Sequence, residues 1–263
     1  MDPAEIIRIK ELLPTSLGSD EVREQLAADI LRRSIFSARM EDLRHLAVIR
    51  DVCAEIADGA INQAEARESL LASLERMGHS PLDDGGISNP ASIKRLDLII
   101  DTQRQMAASV ANIAAETPAT LEEWPAVELT RFVGRGAPRS DWHERWQAAG
   151  DSVGWEGAAK DAGGFPDWRM VALKNSPIWA ALGNGAGGFR DTLGNPYPPF
   201  AYGSGLAWAD VSRDEAIELG LLSSSDAALS PQEAPSLSPS DADIADAVSR
   251  LGFDADIFSD LAG

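Results

Sequence analysis

Apolar residues recur at steps of three and four through the first third of the chain, the spacing that puts them on one face of a helix. Asp2 and Pro3 can cap and open a short helix that stops before Pro14. Ser19, followed by Asp20 and Glu21, predicts a second start, with Arg32 and Arg33 at its far end where cations are favoured. Leu46, Ile49, Cys53 and Ile56 form a stripe that Gly59 ends. Asn62 and Glu65 have capping-box spacing ahead of Ala66, Leu70, Leu74 and Met77, with Gly78 as terminator. After the loop HSPLDDGGISN, Pro90 can occupy the first turn of the longest helix. Ile93, Leu96, Ile100, Met106, Val110 and Ile113 stripe that helix as far as Pro118. Such helices bury their stripes only against each other or against a partner.

The pattern then changes. All seven tryptophans lie between Trp124 and Trp208, with Tyr197 and Tyr202, in a stretch rich in Gly and Pro whose periodic runs are short. The runs from Trp168 to Leu173 and from Ala126 to Phe132 are the best strand candidates. Asp141 with Glu144 can cap a helix carrying Trp142 and Trp146 on one side, and Ser212 with Glu215 another that ends near Gly220. From Ser223 to Ser240 the chain is small, polar and proline-bearing, too poor in apolar surface to offset ordering. Ile244, Val248 and Leu251 return at helical spacing, followed by Phe253, Ile257, Phe258 and Leu261, in a short acidic helix suited to docking.

The expected fold class is α+β. A helical arm over 1–35 and a helical domain over 36–118 precede a compact, loop-rich, Trp-rich domain over 119–222. A disordered linker over 223–240 and an acidic helix over 241–263 complete the chain. A net charge of −19 favours solubility and opposes adsorption to nucleic acid or anionic lipid. From Leu221 onward eight acids face one base, Arg250. No apolar run approaches the roughly 20 residues that span a bilayer, so no membrane partner is expected. The first residues carry Asp2, Glu5 and Glu11 where a signal peptide needs bases and an apolar stretch. The single cysteine, Cys53, fits a reducing compartment.

Candidate chemistry is sparse. His143 lies between Asp141 and Glu144, where acid–base or metal work is conceivable, but its only possible histidine companions, His45 and His79, belong to the helical region. A partly exposed helix histidine is the better reading, and the same holds for His45 and His79. The run from Gly183 to Gly188 lacks the Gly-Lys-Ser/Thr of a phosphate loop and reads as a turn, and Gly134-Arg-Gly136 is weaker still. Gly203-Ser-Gly205 is not a nucleophile elbow. Cys53 reads as a small core residue. Asp83-Asp84-Gly-Gly has too few oxygens for calcium, and Glu122-Glu123 reads as solvated surface. No cofactor is called for, and the chain reads as non-enzymatic.

The aromatic stretch has two readings. Its rings, interleaved with Arg131, Arg135, Arg139, Arg145, Arg169 and Arg190, could stack single-stranded bases. They could equally form the core and contact surface of a loop-rich domain. The second is favoured, because large rings bury much area per residue and Trp and Arg are enriched in protein interfaces.

The order of these parts resembles the Mu F-like minor head proteins of tailed phages. The similarity begins at Phe36-Ser-Ala38 after a helical arm and continues through a helix pair broken at Asp58-Gly59. It takes in the helix carrying Arg95-Leu-Asp-Leu-Ile-Ile-Asp-Thr-Gln103 and the domain entry Trp124-Pro-Ala-Val-Glu-Leu129. An Arg–His segment follows at Arg139 to His143, with altered spacing. Then come Trp179, Asp191-Thr192 and Tyr197-Pro-Pro199 in the family's order. The family's Cys-x-Cys is replaced by Gly203-Ser-Gly-Leu206, so no metal or thiol role carries over.

The resemblance covers residues 17–222. It implies a structural protein inside the phage head near the portal, present in the host cytoplasm during assembly, that aids head assembly or early DNA delivery. Portal and capsid proteins are the implied partners, with self-association and DNA contact left open. Trp179, Asp191, Tyr197, Pro198, Pro199 and Trp208 are the candidate interaction or core cluster. Two rivals stand beside this reading. One is an enzyme acting on nucleic acid or a nucleotide through Arg139, His143 and Glu144; the other is a single-strand-binding adaptor.

Overall fold

A computed structural model describes residues 1–79, 89–90, 92–132, 140–155, 169–235, 237 and 241–253. It is an α+β chain that divides into two compact units, Met1–Ala111 with Pro235–Gly263, and Asn112–Ala234. Several sequence features lie outside the described residues. They are the Asp83–Asp84 loop, Gly134 to Gly136, Arg135, Arg139, Trp168, Ile257, Phe258 and Leu261.

In the first unit, α1 (Pro3–Arg8) opens on the Asp2 cap, with Glu5 completing a capping box and Pro3 in the first turn. The single helix expected from Ser19 to Arg33 is two: α2 (Ser19–Gln25) and α3 (Ala28–Arg32). Leu26 and Ala27 between them are extended, which ends the first helix while Leu26 stays buried. The cap of α2 is Gly18 rather than Ser19; the Glu21 carboxylate accepts from the Gly18 N–H at 2.7 Å. Two residues on either side of these helices, β1 (Glu11–Leu12) and β2 (Ser34–Ile35), pair in parallel.

Helix α4 (Leu43–Ala57) is capped by Asp42, and α5 (Gln63–Arg76) by the Asn62–Glu65 capping box. Leu46, Ile49, Cys53, Ile56, Ala66, Leu70 and Leu74 are all buried, as their spacing requires. Gly59 and Gly78 end these helices with positive φ, conformations that favour glycine. Helix α6 (Ile93–Ala114) starts three residues after Pro90, with the Ser92 hydroxyl accepting from the Arg95 N–H. Its stripe is buried except at Ile93, which is exposed.

The second unit is built on a three-stranded antiparallel sheet, order β4-β3-β5. Its strands are β3 (Ala126–Arg131), β4 (Val171–Leu173) and β5 (Leu206–Val211). Register follows the period of two. Val127 opposes Ala172 and Leu129 opposes Trp208 on one face, while Ala126 opposes both Leu173 and Val211 on the other. Both faces are covered. The first carries α8 (Trp142–Val153) and α9 (Ile178–Gly183). The second carries α10 (Arg213–Glu218), capped by Ser212 as predicted, which packs through Ala216. A further short helix, α7 (Pro118–Glu123), begins at the Pro118 expected to end α6.

Residues 223–233 contain no helix or strand and are exposed except for the half-buried Leu229. Leu237, by contrast, is buried. The chain then forms α11 (Asp241–Arg250) in the first unit.

Candidate functional site

The aromatic residues converge on the first face of the second unit's sheet. Ser176 and Pro177 lead into α9, whose Trp179 is 1% exposed and forms the hub. Its ring lies 5.2 Å from Trp146, 5.2 Å edge-on from Trp208 and 5.9 Å in a stack with Phe200. The Trp179 indole N–H donates to the Leu173 carbonyl at 2.9 Å, fixing the ring in one orientation.

Residues 197–201 are all buried, with the Pro198–Pro199 peptide bond cis. The Asn195 side-chain amide donates to the Pro199 carbonyl at 2.8 Å and holds this turn from within. Gly183 is where the turn meets α9. A Cβ there would stand 1.7 Å from the Asn195 carbonyl oxygen, so a larger residue could not fit.

One charged group belongs to the cluster. Arg145 on α8 is 5% exposed and pairs with Asp141 and Asp191, each at 2.8 Å. Its guanidinium carbon also lies 4.2 Å from the Phe189 ring centroid and 5.1 Å from that of Trp142. The Asp141 carboxylate therefore turns to Arg145 rather than capping α8, which has no side-chain cap. This corrects the sequence expectation: a buried guanidinium demands a charged partner more strongly than a solvated helix end does. Trp142 and Trp146 do share one side of the helix, buried among the other rings.

Of the six residues singled out from sequence, Trp179, Tyr197, Pro198 and Pro199 thus form the unit's own interior. Trp208 is half-buried against Trp179 and Phe200, and Asp191 is half-buried and ion-paired. Among the described residues of this unit, the exposed large apolar side chains lie elsewhere, at Trp124 (36% exposed) and Phe132 (63% exposed). These two flank β3; from sequence, Phe132 was legible as the end of that strand's run and Trp124 as the entry to the domain.

The residues considered for chemistry are placed apart. His143 and Glu144 are exposed on α8, on the side away from Trp142, Arg145 and Trp146. Ser204 is buried, its hydroxyl accepting from the Leu206 N–H at the start of β5. Arg169 grips Glu128 at 2.5 Å and Glu215 at 2.6 Å, tying β3 to α10 and holding its own pKa above the ordinary value. Lys174 sits between Asp210 at 3.0 Å and Glu116 at 3.3 Å. Among the described residues, no group of three or more His, Cys, Asp and Glu side chains is arranged to hold a metal ion. No helix among them is long and apolar enough to cross a membrane.

The first unit holds titratable groups in a different setting. His45 on α4 is not partly exposed as expected but 2% exposed, because it faces α5, where its Nδ1 shares a 3.0 Å hydrogen bond with the Ser73 hydroxyl. Burial pushes its pKa down to about 4, so the ring is neutral and acts as a helix–helix tie. Lys10 is buried beside Gln103, whose Oε1 accepts from Nζ at 2.7 Å, and burial lowers its pKa to about 7. Cys53 is buried as expected, its thiol pushed up to about 12 by desolvation, a protonated and unreactive state. Arg95 reaches back to the Ser37 hydroxyl at 2.7 Å and to the Ala38 carbonyl, which ties the Phe36-Ser-Ala38 segment to α6.

Comparison with protein-family models, with curated proteins and with solved structures gave no match.

Proposed function

We propose that this chain is a structural minor head protein of a tailed phage, acting in head assembly near the portal and in early DNA delivery. The observation that carries the reading is the order of motifs over residues 17–222, from Phe36-Ser-Ala38 to Tyr197-Pro-Pro199, which follows that of the Mu F-like minor head proteins. The placement of the side chains supports it. The Trp-rich segment is a packed interior, and its buried arginine is held by two carboxylates. Trp124 and Phe132 leave large apolar area at the surface, where a partner subunit would cover it. Portal and capsid subunits are the proposed partners, and the head interior the proposed location.

Co-expression with the portal and major capsid proteins of one phage tests the reading. The chain should co-sediment with assembled procapsids and remain there after a salt wash. A chain left wholly in the supernatant while procapsids form would overturn it. The same preparation addresses the rivals. Turnover of a nucleotide or nucleic acid that is lost in His143→Ala would favour the enzyme. Single-strand binding that falls steeply with added salt would favour the adaptor.

A further inference from the structure

The acidic segment at 241–253 packs on the N-terminal arm of the same chain. Ala247, Val248 and Leu251 are buried against Leu13, Val22 and Leu26, with Leu17, Ile30, Leu31, Phe36 and Phe253 packed around them. Arg33 marks the rim. It pairs with Asp29 of α3 at 2.5 Å and with Asp243 of α11 at 3.3 Å, so one guanidinium joins the groove to the helix. The contact joins apolar surfaces and carries a charge pair across its rim.

Three features set this contact apart from the rest of the first unit's core. A ten-residue helix is too short to be stable alone in water, so α11 owes its structure to the groove. Its partners lie some two hundred positions away in sequence, across the whole second unit. The approach to it runs through residues 223–233, which contain no helix or strand and are largely exposed. Opening that segment breaks no sheet register and uncovers little apolar surface. Moving α11 out of one groove and into an identical groove on another copy would remake every contact named above, with no new interface to evolve.

We infer that the groove formed by α2, α3 and Phe36 is a self-association joint whose occupant is α11 of a second copy of this chain. The single-chain contact is the closed form, and the exchanged contact links copies. The hinge sets the reach: drawn out straight, its 11 residues would span up to roughly 40 Å. Closed and exchanged forms differ in hinge conformation and in translational freedom, so concentration decides between them. Raising the local concentration of copies, as an assembly does, favours exchange. The inference is independent of the head-protein reading and would hold for a chain of any function with these two segments.

Cross-linking between tagged copies tests it. Asp29 and Asp243 share the Arg33 guanidinium and are both partly exposed, so thiols at these two positions lie within reach of a short bismaleimide. One full-length chain carries Asp29→Cys and an affinity tag; the other carries Asp243→Cys. The two are unfolded together in urea, refolded over a range of concentrations and cross-linked. Cys53 is buried and does not compete. A tagged-to-untagged product should appear, its yield per chain rising about tenfold for each tenfold rise in concentration while exchange is sparse.

Adding Val248→Asp to the Asp243→Cys chain should remove the product, because a carboxylate cannot enter the apolar groove. The Asp29→Cys/Asp243→Cys double variant, cross-linked when dilute, should give an internal loop and verifies that both thiols are placed as described. An internal loop without any intermolecular product at high concentration would overturn the inference. So would a dimer seen by light scattering whose copies fail to cross-link at these positions.

Discussion

The two units bury polar chemistry in opposite ways. In the first, two buried titratable groups hydrogen-bond to neutral partners: His45 to the Ser73 hydroxyl and Lys10 to the Gln103 side-chain oxygen. In the second, the buried cation Arg145 is held by two carboxylates and two rings, within an interior dominated by tryptophan. A neutral partner satisfies a hydrogen bond without compensating charge, so protonation remains costly in the first unit. In the second, two carboxylates supply opposite charge to the buried guanidinium. The lesson is that similar burial gives one unit a stability that depends on pH and the other a stability that depends on ring packing.

The largest expected effect lies in the rings. Trp179→Ala would remove the hub that touches Trp146, Phe200 and Trp208, together with its indole hydrogen bond to the Leu173 carbonyl, which would keep only the Ser176 N–H. A loss of about 3–5 kcal/mol is expected for the second unit. Near-ultraviolet circular dichroism and urea melts followed by tryptophan emission would report it, since all seven tryptophans lie in that unit. A mild loss would mean that the rings are not the unit's core.

Acid should act on the first unit. His45 has a folded pKa of about 4 against an ordinary 6.5, so between these values the unfolded chain binds more protons than the folded one. Its contribution is therefore complete above pH 6.5 and is lost as pH falls towards 4, by up to about 3 kcal/mol. His45→Gln should flatten that dependence in melts followed by far-ultraviolet circular dichroism. An unchanged slope would place the acid sensitivity elsewhere.

Lys10 works on the alkaline side. Its folded pKa of about 7 lies below the ordinary 10.5, so the unfolded chain again holds the extra proton and stability rises with pH across that interval. Lys10→Met should therefore stabilise the first unit at pH 7 by about 1–2 kcal/mol, with the gain shrinking as pH approaches 10.5. A destabilised variant would show that the Gln103 hydrogen bond outweighs the cost of burying the charge. The smallest effect expected is that of Asp191→Asn, about 1 kcal/mol, because Asp141 remains to hold Arg145.

The helices were legible because their caps and stripes are local. Asp2, Asn62 and Ser212 cap as their spacing predicts, and the stripes of α4 and α5 are buried. Local patterns could not reveal what long-range contacts decide. Leu26 breaks the helix expected from Ser19 to Arg33, and Asp141 leaves its cap for Arg145. Strand β5 was not anticipated, since Leu206-Ala-Trp-Ala-Asp-Val211 shows no strong alternation by itself and takes its register from β3. The aromatic cluster could be named from composition, but not divided into interior and surface. Only the sheet fixes Trp179 inside and leaves Trp124 and Phe132 outside.

As proposed, the chain acts in head assembly and not in catalysis. Counting it by quantitative mass spectrometry in purified phage heads, for the native chain and for His143→Ala, tests this most directly. An equal copy number per head is expected in both, with equal yields of DNA-filled heads. Heads that contain the variant at the native level yet fail to fill would contradict it, and so would heads that never contain the chain.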